Sequence, residues 1–277
     1  MNSPLTDSDS TSPRIGALSK VPEVTVYFWI IKIFATTVGE TAADYLNMTL
    51  GFGLQSTTVI TVALLVITLA AQFAVNRYIP ALYWWAVLLI SVTGTLITDN
   101  LTDVYGIPLI ASTAAFSVAL IVVFTAWYLT EGTLSIHSIR TRRREAFYWL
   151  AILVTFALGT AAGDLIAEKF ALGYGLSLLL FAGVIAAVTV GHYLLRLNAV
   201  FAFWAAYIVT RPLGASLGDL LTQPADAGGF AFGSTAVNVV FLVVMVTLVV
   251  YLSISNVDRI EQVEQLKQRR DLVEDHT

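Results

Sequence analysis

Four aspartates, Asp44, Asp99, Asp164 and Asp219, hold the same place in a recurring framework. Each lies fifteen residues after a tryptophan and five after a glycine, in the pattern W-x9-G-x4-D. All four fall at the ends of strongly apolar stretches. Acidic groups are costly in a bilayer and are kept where they bind or relay charge, so the chemistry suggested is the holding of a cation or a proton. Glu40 and Asp44 are four residues apart, as are Asp99 and Asp103 and also Asp164 and Glu168, so each pair can share a helix face. The fourth copy departs from this, with Gln223 after Asp219. Thr36, Thr37, Thr93, Thr95, Thr155, Thr160 and Thr210 add hydroxyls at neighbouring depths. Asp44, Asp99, Asp164, Asp219, Glu40 and Asp103 are therefore the candidate ion- or proton-binding residues. The four repeated aspartates are the candidate metal ligands, because a hard divalent cation such as manganese or magnesium takes oxygen ligands. With no cysteine, three methionines and three histidines, a soft-metal site is not expected. No resident cofactor is expected either, and a divalent cation would be cargo.

Two basic residues lie inside apolar stretches. Arg211, followed by Pro212, needs a carboxylate partner if buried, for which Asp44, Glu40 and Asp219 are candidates; contact with an anionic substrate is the other use. Lys32, one turn after Trp29, is expected to snorkel back to the cytoplasmic side, with a counter-ion or substrate contact, as for Arg211, as the alternative. For the remaining repeated residues the structural reading is favoured. Trp29, Trp84, Trp149 and Trp204 suit interfacial anchors or packing wedges. Gly39, Gly94, Gly159 and Gly214 suit close helix approach, with local unwinding as the alternative. The aspartates have a structural reading too, as residues that end helices in headgroup water or cap the next turn.

The elements that must position these groups are membrane helices. The chain has 277 residues, of which 57% are hydrophobic and 12% charged, with a mean hydropathy of +0.78. That is more apolar surface than a water-soluble core of this size buries. Stretches long enough to span a bilayer fall at about 24–46, 57–76, 79–99, 109–130, 147–166, 174–195, 198–221 and 231–253. The W-x9-G-x4-D pattern lies on every odd-numbered one, so two spans form one repeat. Successive tryptophans of the pattern are separated by 55, 65 and 55 residues, which divides the chain into two similar halves. The fold expected is an all-α membrane protein with eight transmembrane helices, arranged as four parallel-oriented helical-hairpin repeats. In sequence it divides into a disordered tail (1–22), a first half (23–131), a basic linker (132–146), a second half (147–253) and an amphipathic C-terminal helix (254–277).

Basic residues set the expected orientation. Arg14, Lys20, Arg77, Arg140, Arg142, Arg143, Arg144, Arg196, Arg259, Lys267, Arg269 and Arg270 all fall on the side of the two termini, against Lys169 on the other. Both termini are thus expected in the cytoplasm, with the repeats sharing one orientation about an axis along the membrane normal. A net charge of −4 without a basic, aromatic-laced face speaks against nucleic-acid binding. No Ser-His-Asp set, His-Glu-x-x-His or phosphate loop is present, so the chain does not read as an enzyme.

The stretches FWIIKIFATTVGETAADYLN, FYWLAILVTFALGTAAGDL and FWAAYIVTRPLGASLGDLLTQP resemble a bacterial membrane-protein family built from a fourfold tandem repeat of unknown function. The resemblance covers about residues 20–255. It implies the repeat architecture and a bacterial inner-membrane location, and no substrate. The leading functional reading is transport of a small ion, a hard divalent cation or a proton-coupled solute, with membrane lipids as partners and a homo-oligomer compatible. The alternative is a non-transporting scaffold or sensor acting through its tails, especially the stretch 257–273.

Overall fold

A computed structural model describes residues 19–259. Eight long helices carry it: α1 (Val26–Asp44), α2 (Leu54–Ala74), α3 (Pro80–Asp99), α4 (Leu109–Glu131), α5 (Arg142–Asp164), α6 (Gly173–Leu195), α7 (Ala199–Thr222) and α8 (Ser234–Ser255). Seven are long and apolar enough to cross a membrane; the other is α1, which carries Lys32 and Glu40. The expected starts of the odd helices are marked by local chemistry. Thr25 caps α1, Thr141 caps α5 and Asn198 caps α7, each accepting a backbone N–H of the first turn, while Pro80 opens α3.

The odd helices form a closed ring in which α1 packs on α3, α3 on α5, α5 on α7 and α7 on α1. The repeat glycines make this ring. A Cβ on Gly39 would collide with Ser91, on Gly94 with Phe156, on Gly159 with Arg211, and on Gly214 with Thr36. Each glycine thus admits the same position of the next odd helix, and the fourth returns to the first. Backbone approach of this kind is what small residues provide in membranes.

The even helices lie outside the ring and are shifted by one unit. The main contact of α2 is with α3, of α4 with α5, of α6 with α7, and of α8 with α1. The two helices of a repeat are consecutive along the chain, yet the outer one packs mainly on the inner helix of a neighbouring repeat. Contacts α3–α5 and α1–α7 join the two sequence halves, so they do not form separate bodies.

The residues preceding the tryptophans, Phe28, Tyr83, Tyr148 and Phe203, gather at the N-terminal end of the ring, where the Tyr83 and Tyr148 hydroxyls hydrogen-bond to each other. Trp84, Trp149 and Trp204 are buried among them, and Trp204 donates its indole N–H to the Leu134 carbonyl at 3.0 Å. Three of the four tryptophans are therefore packing wedges and not interfacial anchors; Trp29 is half-buried.

Residues 19–22 correct the expectation of a disordered tail over 1–22, the rest of which lies outside the described residues. They form a buried strap across the start of the ring. The Lys20 ammonium meets Glu145 at 2.6 Å, both nearly inaccessible, and Val21 joins the hydrophobic core. Backbone bonds tie the strap to three other segments: Tyr78 N–H to Ser19, Lys20 N–H to Ile139, and Glu23 N–H to Asp258. The basic linker is also shorter than expected. Arg142, Arg143 and Arg144 are the first turn of α5, and Arg144 is held by Glu131, Thr133 and Ser138. Most of the stretch 257–273 lies outside the described residues.

Gly94→Ala places a methyl 2.8 Å from Phe156 Cβ and 3.1 Å from the Ala157 amide, where backbone must move. Overpacking of this sort costs about 1–3 kcal/mol. Thermal denaturation in detergent is expected to show a lowered midpoint for Gly94→Ala. Gly39→Ala, which meets the Ser91 side chain, is expected to recover in combination with Ser91→Gly.

Candidate functional site

The centre of the ring is occupied by a guanidinium. Arg211, on α7 beside Pro212, is wholly inaccessible, and its side chain reaches each of the other three ring helices. Nη2 donates to Glu40 Oε2 at 2.7 Å on α1, to the Thr95 hydroxyl on α3, and to the Thr160 hydroxyl on α5 at 2.7 Å. Nη1 donates to the Thr36 carbonyl at 3.3 Å. Contact with α1, α3 and α5 from α7 places the group on the ring axis. Of the three acids considered as partners, Glu40 is the one used.

Glu40, Thr95 and Thr160 are the same repeat position, each eleven residues after the tryptophan of its unit, and the fourth equivalent is Ala215 on arginine's own helix. Three copies of one position thus supply oxygens to one cation, and the fourth is small where the arginine side chain rises. The spacing that identifies the aspartates also aligns these three oxygens, so Thr95 and Thr160 could have been found by comparing what stands at each offset.

One turn further along each ring helix stand the repeated aspartates. Asp44, Asp99 and Asp164 are half-buried and Asp219 is 9% exposed. Asp99, Asp164 and Asp219 each lie within electrostatic range of Glu40 and Asp44, and Asp164 also of Arg211. Asp103 and Glu168 sit at the exposed rim and act on Asp44. Among the described residues, none of the four repeated aspartates has a hydrogen-bond or ion-pair partner. The structure therefore brings the six candidate carboxylates to one end of one axis. It does not bring them into a ligand set: among the described residues, no three acidic or histidine side chains are close enough to hold a metal ion. Asp44, Asp99, Asp164 and Asp219, expected as joint metal ligands, stand on four different helices and do not form such a group among the described residues.

The aspartates are also not helix ends in three repeats. The helix continues past Asp44, Asp99 and Asp164 as a π turn, over Tyr45–Thr49, Asn100–Val104 and Leu165–Lys169. The carboxylates therefore sit at α-to-π junctions, a geometry frequent at functional sites. In the fourth repeat Gln223 turns extended and α7 stops. Nothing in the residue pattern marks the π turns.

On the other side of Arg211 lies Lys32. It does not snorkel: its side chain is wholly inaccessible, and Nζ sits 4.1 Å from the centroids of both the Phe156 and Tyr207 rings. Among the described residues, no atom accepts a hydrogen bond from it. Snorkelling fails because the helix face carrying Lys32 is turned into the ring and the strap and aromatic layer close the route. Desolvated ammonium over aromatic faces gains about 2 kcal/mol per contact, which offsets part of the missing solvation. A groove of about 440 Å³ near Trp29, His137 and His192 lies at the opposite end from the acids and contains none of them.

Removing one partner of a buried pair leaves an uncompensated charge, at a cost of about 3–5 kcal/mol. Arg211→Met is expected to lower the thermal midpoint in detergent sharply, and Arg211→Met with Glu40→Gln is expected to regain most of the loss. Equal destabilisation by the single and double variants would show that the pair is not what holds the axis.

The family described as Repeat of Unknown Function (DUF347) matches the chain four times, over residues 27–78, 82–133, 147–198 and 202–258. No curated protein and no solved structure matches it.

Proposed function

Since the chain belongs to the family of this Repeat of Unknown Function, whose four copies each supply one helix to the ring, we propose that it is a multi-pass membrane transporter of a small ion. The family membership carries the architecture and the repeat; the ion reading rests on the axis. Its single strongest support is the set of four unpartnered carboxylates, one per repeat, converging above an arginine that closes the ring. When all are ionised they repel one another, and a proton or cation among them relieves that repulsion.

In this reading all eight helices span the bilayer of a bacterial inner membrane, α1 included, its charges being satisfied or cradled inside the ring. Both termini are cytoplasmic, in keeping with the placement of basic residues. The aspartates then face the outer side and the strap with Lys20 and Glu145 closes the inner side. The Arg211–Glu40 pair stands between as the gate that an ion reaching the acids must perturb.

Asp44→Asn and Asp164→Asn remove two charges and keep side-chain size. Purified protein in proteoliposomes is expected to lose at least about tenfold in ion flux with both substitutions, since the site's affinity derives from summed charge. Flux equal to wild type would overturn the reading, and would turn attention to the tails.

A further inference from the structure

The groove beside Trp29 is an incomplete copy of a seat that the fold fills elsewhere. We infer that residues 260–266 of this chain fill it, laying Ile260, Val263 and Leu266 across the starts of α1 and α7. The inference is independent of what the axis carries.

Repeat symmetry explains why the groove exists. Trp204 is covered by the end of α4: the ring centroids of Phe124 and Trp127 lie 4.9 and 5.9 Å from its own, and Leu134 accepts its indole N–H. Moving on by one repeat puts α6 beside Trp29 and replaces Phe124, Trp127 and Leu134 by Thr189, His192 and Ala199. All three line the groove together with Trp29. A hydroxyl and an imidazole stand where two large rings cover Trp204, and about 440 Å³ is left between the helices. Trp204 is buried as a result, while Trp29 is only half-buried.

The end of the described chain points to the occupant. Asp258 accepts the Glu23 N–H at 2.8 Å, and Val24, the next residue, lines the groove. Arg259 is the last described residue, so the chain continues from the edge of the groove. That continuation carries an apolar residue at every third position, Ile260, Val263 and Leu266. In a helix these share one face, Gln262 and Glu264 border it, and Glu261 and Gln265 point away. Amphipathic helices of this kind lie in the plane of the membrane surface with the apolar face about 5–10 Å deep. The groove has that depth, since its α7 wall rises about 10 Å from Ala199 to Ala206. Its mouth is formed at the starts of α1 and α7, where the helix dipoles favour an acidic neighbour such as Glu264.

The chain has no cysteine, so introduced thiols report on single positions. Thr189→Cys is labelled with a water-soluble maleimide in lipid nanodiscs, where both membrane faces are open to the reagent. Ending the chain after Arg259 is expected to raise the labelling rate about tenfold, because a seated segment protects its seat until it opens. Ile260→Ser, Val263→Ser and Leu266→Ser together are expected to do the same in the full-length chain. On oxidation, Thr189→Cys with Val263→Cys is expected to form a disulfide within one chain, and Thr189→Cys with Gln265→Cys is not. Slow labelling that truncation leaves unchanged would assign the groove to lipid, and fast labelling in both forms would leave it open. A disulfide formed only between chains would make it an interface between copies. Each of these three results overturns the inference.

Discussion

Arg211 is the group on which the arrangement of the ring depends. One guanidinium bonds to oxygens from three other helices, and it is wholly removed from solvent, so each of those helices must present its oxygen at the axis. A buried charge without such partners would cost several kcal/mol, which penalises any packing that turns Glu40, Thr95 or Thr160 away. The interaction is therefore directional where the surrounding apolar contacts are not. It is also local in its demands, because the glycine of each repeat has already brought the helices close enough for a single side chain to reach across. Gly159, in particular, lies directly against the Arg211 side chain, so the repeat's packing device and the axial charge meet at one point.

The molecule then separates into a symmetric scaffold and an asymmetric filling. Glycines, tryptophans and aspartates recur in all four units and build the ring, the aromatic layer and the acid end. Lys32, Glu40 and Arg211 occur once each among their repeat equivalents, and all three are buried within the ring.

Closure at the two ends has different physics. At the helix starts the strap brings Lys20 against Glu145 and seats Val21 in the core, so the end is sealed by an ion pair together with apolar packing. At the other end the π turns carry the helices past the aspartates and leave those carboxylates half-buried and unpaired. The polarity of the axis, acid and accessible at one end, basic and packed at the other, follows from these two devices.

By itself the sequence determined the helices, their pairing into four units and the depth of the charged groups, because apolar run length, cap residues and a repeat with fixed internal spacing are local properties of the chain. Asp44, Asp99, Asp164 and Asp219 could be placed at one level from their distance to Trp29, Trp84, Trp149 and Trp204 alone. Only the tertiary structure decided which way those residues face. A helical residue's depth follows from its number, but its bearing depends on which neighbour the helix packs against, and here the outer helix of each unit packs on the next. That choice turned Lys32 inward when its nearness to the boundary suggested snorkelling, and it buried three tryptophans that the boundary seemed to claim. It selected Glu40 from three candidate partners of Arg211. The reason in each case is the same: charge pairing and close packing act across helices far apart in the chain, and spacing along one helix carries no record of them.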